Sequence, residues 1–350
     1  MTITERPGVY TAYELSGVRY SGPSASKVVG VAGATASGIK GEIYDITSYA
    51  AAAATFGTGC PITELIKILI LNGVALIKAV PVFISGTDGT EVSAADYANG
   101  FAALVGIENV SIVICDSADG AVHSAFKSAV MTADERYRHK IGVFECGGEI
   151  SEIIAAAKAI NCERVVLTIS AADIVAGGVA AAVAGEIASQ SDPAVPLNGA
   201  QLYGLDSLSA KYSDGDITLL VQGGVTPVEN FGGAVSIVRG ITTKTTTMNV
   251  ADNTWCEIST VLIVDNVIPA IRDSLRRMFS RTKNTVQTRG AIRTQVIIEL
   301  EKKLAAEIID GYSNVTVVQS SEDPTVCEVS FEFTVTHGLN RIQLVAYITV

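Results

Sequence analysis

The chain has 350 residues, 48% of them hydrophobic and 17% charged, with a formal net charge of −11 at pH 7. This length predicts two or three domains, and so apolar a composition excludes a disordered or fibrous chain. The acidic balance excludes a general affinity for nucleic acid.

Residues 1–22 read as an extended arm. Within RPGVYTAYELSG, Val9, Tyr13 and Leu15 fall on one face after a Pro-Gly turn signal. KVVGVAGAT (27–35) reads as a buried strand, PITELIKILILNG as a helix with Pro61 in its first turn and Gly73 as its stop, and VALIKAVPVF as a returning strand. An alternation follows. Helices are expected at SAADYANGFAALVG (capped by Ser93), DGAVHSAFKSAVMTADER, EISEIIAAAKAI and AADIVAGGVAAAVAGEIAS, and strands at NVSIVICD, KIGVFEC and ERVVLTIS. Near-continuous apolar strands separated by helices predict a parallel sheet covered on both faces.

After SQSDPAVPLNG the pattern is irregular as far as GGAVSIVRGITT. STVLIVDNVIPAIRDSLRRMFSR then predicts one or two helices with a break near Pro269, and a further helix is expected over 291–310, ended by Gly311. From Arg272 to Arg293 there are seven bases (Arg272, Arg276, Arg277, Arg281, Lys283, Arg289 and Arg293) and one acid, Asp273. Such a segment on an acidic chain can attract copies of the same chain or any acidic surface, or it can be a solvated helix face. The end of the chain is all strand. VCEVSFEFTVT alternates Cys327, Val329, Phe331, Phe333 and Val335 on one face with Glu328, Glu332 and Thr334 on the other. The terminal NRIQLVAYITV puts Ile342, Leu344, Ala346, Ile348 and Val350 on one side. That strand can close on its own sheet as a third meander strand, or add to the sheet of another subunit.

The sequence carries little chemistry. Cys60, Cys115, Cys146, Cys162, Cys256 and Cys327 show no metal or redox spacing, and His123, His139 and His337 are scattered. GATASGIK lacks the Gly-Lys-Ser/Thr order of a phosphate loop, and no nucleophile elbow is present. Asp116 and Asp119 fall at the carboxyl edge of the expected sheet, where α/β proteins bind ligands; the plainer role for Asp119 is a helix cap. The amino terminus does not read as a signal peptide, and no apolar run is long and uncharged enough to span a bilayer, so a protein made without export is expected.

ERPGVYTAYE, VRGITTKTTTMNVADNTWCEISTVLIVDNVIPAIRDSLRRM and VCEVSFEFTVTHGLNRIQLVAYITV resemble the contractile tail sheath proteins of phages and phage-tail-like bacteriocins. The resemblance covers nearly the whole chain and is strongest in the first arm and beyond about Gly233. It implies an α/β fold: a subtilisin-like three-layer parallel-sheet domain (85–228), a smaller, discontinuous α+β sheath-core domain (23–84 and 229–338), an N-terminal arm (1–22) and a C-terminal arm (339–350). The arms would be carried by Val9, Tyr10, Tyr13, Leu15, Ile342, Leu344, Ala346, Ile348 and Val350, and the accepting sheet by Val329, Phe331, Phe333 and Val335. Arg272, Arg276, Arg277, Arg281, Arg289 and Arg293 would contact an inner tube or an acidic neighbour. The resemblance further implies six-fold rings or helical strands of identical copies, with an inner tail tube protein, baseplate and terminator proteins as partners. It implies no cofactor, no metal, no nucleic acid, no membrane insertion and no catalysis. Synthesis in a bacterial cytoplasm and incorporation into a virion tail or a released particle would follow. The alternative is an α/β enzyme or nucleotide-binding protein with its site near Asp116.

Overall fold

The structure is a computed structural model that describes residues 27–84, 92–133, 139–170, 174–206, 208, 211–340 and 344. β1 (Val28–Thr35) is buried along most of its length and is the centre of the main sheet. The chain then forms β2 (Tyr44–Ile46), α1 (Tyr49–Phe56), α2 (Pro61–Leu71) and β3 (Ile77–Ile84). Three αβ repeats follow: α3 (Ala94–Val105) to β4 (Val110–Cys115), α4 (Gly120–Thr132) to β5 (Ile141–Cys146), and α5 (Ile150–Ile160) to β6 (Val165–Ile169). The strand order is β2-β3-β1-β4-β5-β6, parallel apart from the edge strand β2. On one face α2 packs on β1 and against α6 (Gly178–Ser189); on the other α3, α4 and α5 lie side by side. The expected parallel sheet with both faces covered is therefore present.

The caps explain where these helices begin. Ser93 and Asp96 form a reciprocal capping box at α3, and Asp119 caps α4 by accepting from Ala121 N at 2.9 Å. Phe101, Phe126 and Phe144 pack with edge-to-face and tilted geometry between the helices and β5. His123 stacks on Phe144 with centroids 4.7 Å apart, and burial holds its imidazole below the usual pKa. It is a core side chain.

Beyond the main sheet come β7 (Gln201–Leu202), α7 (Asp214–Gln222), β8 (Val228–Phe231) and β9 (Ala234–Ile237), with the three strands ordered β7-β9-β8. The short hairpin β10 (Thr246–Thr247) and β11 (Val250–Ala251) leads to a C-terminal lobe. The lobe consists of α8 (Ile258–Phe279), α9 (Val286–Ala305), β12 (Ile309–Gln319) and β13 (Cys327–Val335). It has an apolar cluster of its own around Ile263, Val267, Ile271, Val296, Leu300 and Val315. Ile258, Val261 and Leu262 of α8 belong instead to the main core, so this one helix is embedded in both.

Several boundaries differ from the sequence expectations. Residues 28–84 do not join the C-terminal elements: β1 and β3 are strands of the main sheet, because apolar runs buried on both faces need helices on both sides. α8 continues through Pro269 without a break, the proline costing only the bond to the Asp265 carbonyl. α9 begins and ends five residues earlier than expected, and Gly311 lies inside β12. α6 starts only at Gly178. α7, in the stretch that looked irregular, is a helix capped by the Ser213–Asp216 box.

Candidate assembly surfaces

The strands predicted near the end of the chain form a two-stranded antiparallel ribbon, β12–β13, lying on α9. Along β13 every odd-numbered residue from Cys327 to Val335 is half-buried and every even one exposed, so Val329, Phe331, Phe333 and Val335 share the face toward the lobe core. Phe331 and Phe333 stack on that face with centroids 6.2 Å apart.

The backbone of β13 alternates as well. At one end of the ribbon Ser320 N donates to Val326 O at 3.1 Å; at the other Thr336 N donates to Ile308 O at 3.5 Å. Both ends put the even-numbered residues of β13 in the hydrogen-bonded pairs with β12. The N–H and C=O groups of Cys327, Val329, Phe331, Phe333 and Val335 therefore point to the outer edge, and among the described residues no strand pairs there.

Beyond β13 the chain leaves the ribbon. Gly338 lies against Pro196; a Cβ on it would sit 2.8 Å from that ring. Asn340 accepts from Asn198 Nδ2 at 2.5 Å and donates to Glu257 Oε1 at 3.0 Å. Residues 336–340 carry no strand, and Leu344 is 91% exposed. No third meander strand is formed as far as the described residues reach. The other predicted arm residues, Val9, Tyr10, Tyr13, Leu15, Ile342, Ala346, Ile348 and Val350, lie outside the described residues.

The six predicted contact arginines divide into two groups. Arg293 Nε donates to Val315 O at 2.8 Å, and Arg289 to Asn284 Oδ1 at 2.9 Å and Gln319 at 3.4 Å; both tie α9 and its approach to β12. Arg272, Arg276, Arg277 and Arg281 are exposed and make no hydrogen bond or ion pair among the described residues. Arg272 and Arg276 line a cavity of about 350 Å³ between α8 and the amino ends of β4 and β5, which Lys27, Lys140 and His139 also line.

The joint between body and lobe was not legible in the sequence. Asp265 of α8 accepts from Arg164 at 2.5 Å and pairs with His139 Nδ1 at 3.0 Å; both partners come from the loops leading into β5 and β6. Beside it, Lys140 is buried and donates to the carbonyls of Ile107 at 2.6 Å, Glu108 at 3.0 Å and Val110. Burial lowers its pKa to about 8. Residues 126 and 101 positions apart meet here, and no local spacing announces that contact.

Asp116, the focus of the enzymatic alternative, is half-buried at the end of β4. It accepts from Ala34 N at 2.8 Å and Tyr97 Oη at 2.6 Å. Desolvation raises its pKa despite both bonds, and burial with the nearby carboxylate raises that of Tyr97. These groups satisfy one another across the sheet edge. No cluster of three or more possible metal ligands occurs among the described residues. No described helix is long and apolar enough to cross a membrane.

Comparison with known proteins bears on the same elements. Residues 90–243 match the family model of the phage tail sheath protein central domain, and residues 250–349 that of the phage tail sheath C-terminal domain. The tail sheath protein of Bacillus phage SP01 is 28% identical over an alignment 252 residues long that covers 67% of this chain and 42% of that relative, so the chain spans less than half the relative's length. In fold, the sheath tail protein from Desulfitobacterium hafniense is similar with a TM-score of 0.69 at 13% identity, over 94% of this chain and 100% of that one. A chain of the anti-feeding prophage helical sheath in its contracted state also gives 0.69, at 14% identity, over 99% of both chains.

Proposed function

The chain belongs to the phage tail sheath family, and from that premise we propose that it is a structural subunit of a contractile tail sheath. Copies polymerise around an inner tube as six-fold rings or helical strands, and contraction drives the tube through a target envelope. The work comes from two packings of the same subunits rather than from catalysis, so the chain is not an enzyme and needs no cofactor. The larger unit is a subtilisin-like three-layer domain in fold only, without that protease's chemistry. The arms, about 1–22 and 339–350, reach neighbouring subunits; baseplate, terminator and tube proteins complete the particle, and synthesis is cytoplasmic.

One observation carries the structural half of this reading: the outer edge of β13 is open among the described residues, and residues 336–340 turn away from it, with Asn340 bonded to Glu257. A two-stranded ribbon is marginal alone, and an added strand completes it through main-chain bonds, with side-chain alternation fixing the register. Eleven extended residues from Asn340 reach roughly 35 Å, enough to cross to an adjacent subunit.

Electron microscopy of the purified protein is the direct test. Long hollow cylinders are expected. Monodisperse particles at every concentration would refute the reading.

A further inference from the structure

Opposite charges gather at opposite ends of the main sheet; the basic group makes no hydrogen bond or ion pair among the described residues, while Glu152 and Asp216 in the acidic group also cap the starts of their own helices. Arg272 and Arg276 of α8 line the cavity at the amino ends of β4 and β5, and Arg277, Met278 (56% exposed) and Arg281 follow on the last turn of the helix and just beyond. At the carboxyl end of β5 the charge is reversed. Glu149 and Glu152 open α5 there, and Asp214 and Asp216 open α7, which packs on α5. Tyr212 sits between the two groups: burial first, then Asp216 and Glu149, push its phenol above its usual range. Glu229 faces Tyr212 across a small cavity that Lys211 also lines. From this acidic rim projects the β8–β9 hairpin, turned by Gly232 and Gly233 at φ 61° and 87°, which leaves Phe231 74% exposed at its tip.

We propose that the acidic rim and Phe231 of one copy dock on the Arg276–Arg277–Met278 surface of the next. The occupant is a second copy of this chain because the two surfaces complement each other in charge and each offers one large apolar side chain. They lie at least a strand length apart, about 17–20 Å, at opposite ends of a rigid sheet, so one molecule cannot bring them together. A contact between unlike patches is head to tail, and repetition closes it into a ring or extends it as a helix. Phe231 also gains from arginine neighbours, since guanidinium groups pack on aromatic faces. This contact rests on the sheath reading but is separate from strand addition, which uses the edge of β13.

Charge reversal tests it in the full-length chain. Asp214→Lys with Glu229→Lys, and separately Arg276→Glu with Arg277→Glu, should each raise the critical concentration for polymerisation at least about tenfold, since like charges then face one another. The chain carrying all four changes should polymerise again near the wild-type concentration, because the attraction is restored with reversed sign. Phe231→Ser should raise the critical concentration with no change in melting temperature. Melting curves establish that each variant is folded. Wild-type polymerisation by either charge-reversed double variant, or failure of the folded quadruple variant to recover, would overturn the proposal. So would loss confined to the arginine variants, which would assign α8 to another partner. If the wild-type chain forms no polymer, the sheath reading itself fails.

Discussion

Proline at Val329 and proline at Ser330 should have opposite consequences, although the residues are adjacent. The Val329 N–H points out of the ribbon, and that of Ser330 belongs to the pair with Thr316 in β12. Proline on the outward position of an edge strand removes no internal bond and keeps φ within the extended range. Trimming the half-buried Val329 side chain costs the isolated subunit about 1 kcal/mol. For an incoming strand the change is larger. The outward edge offers the N–H and C=O groups of five residues, Cys327 to Val335, each bond worth about 0.5–1.5 kcal/mol net. Loss of one donor near the middle, the stranded acceptor opposite and the ring's steric push cost about 2–4 kcal/mol together. At about 1.4 kcal/mol per tenfold, the critical concentration should rise roughly 30- to 700-fold. Val329→Pro should therefore melt nearly as the wild type yet stay unassembled in sedimentation and electron microscopy. Ser330→Pro should lower the melting temperature, since it breaks the ribbon itself. Cylinders formed by Val329→Pro at wild-type concentrations would refute strand addition at this edge.

Deleting residues 344–350 should leave the melting temperature unchanged and abolish polymerisation; early melting would mean that the segment completes its own subunit. Gly142→Ala should destabilise the body by about 1–3 kcal/mol in denaturant titration, because a Cβ there would lie 2.5 Å from both Phe126 and Phe144 in the aromatic cluster. Asp265→Asn should cost on the order of 3 kcal/mol by leaving Arg164 without its counter-charge at the joint, and Arg164→Leu in the same chain should recover part of that. Hydrogen bonds from Ser93, then the pair with Lys40, hold the Asp96 carboxyl at a pKa of about 2 against an ordinary 3.8. Its contribution is complete above pH 3.8 and disappears as pH falls through 2, so acid unfolding of Asp96→Asn should show a shallower dependence across that window.

The α/β half of the molecule was legible because its signals are local. Ser93 and Asp119 announce helix starts through their own side chains, and apolar runs such as VVLTI bury both faces wherever they go. The alternation from Cys327 to Val335 announced a two-faced strand in the same way. Signals that depend on distant contacts failed. Pro269 looked like a break, yet packing of α8 into two cores outweighs one lost helix bond. α7 was missed because a nine-residue helix with one buried residue, Leu220, has almost no period to read. Arg289 and Arg293 read as part of a uniform basic face, but β12 comes within reach of both guanidinium groups, offering the Gln319 side chain to Arg289 and the Val315 carbonyl to Arg293.

That division of the arginines bears on how such a subunit could repack without unravelling. The arginines that hold the lobe together, Arg289 and Arg293, bond to groups of their own chain, and those bonds survive any rotation of one subunit against another. Arg272, Arg276, Arg277 and Arg281 make no hydrogen bond or ion pair among the described residues, so whatever they pair with can be exchanged at little internal cost. The same asymmetry holds in the apolar cores. α8 is fixed at Ile258, Val261 and Leu262 in one and at Ile263, Val267 and Ile271 in the other, which couples body and ribbon into one unit. A unit built in this way moves as a whole. On the proposed strand addition, compliance resides in the segments that join copies, because strand-to-strand hydrogen bonds hold register while the connecting chain bends. A sheath whose joints were instead side-chain packing would have to break them in order to move, since packed interfaces are bistable rather than deformable.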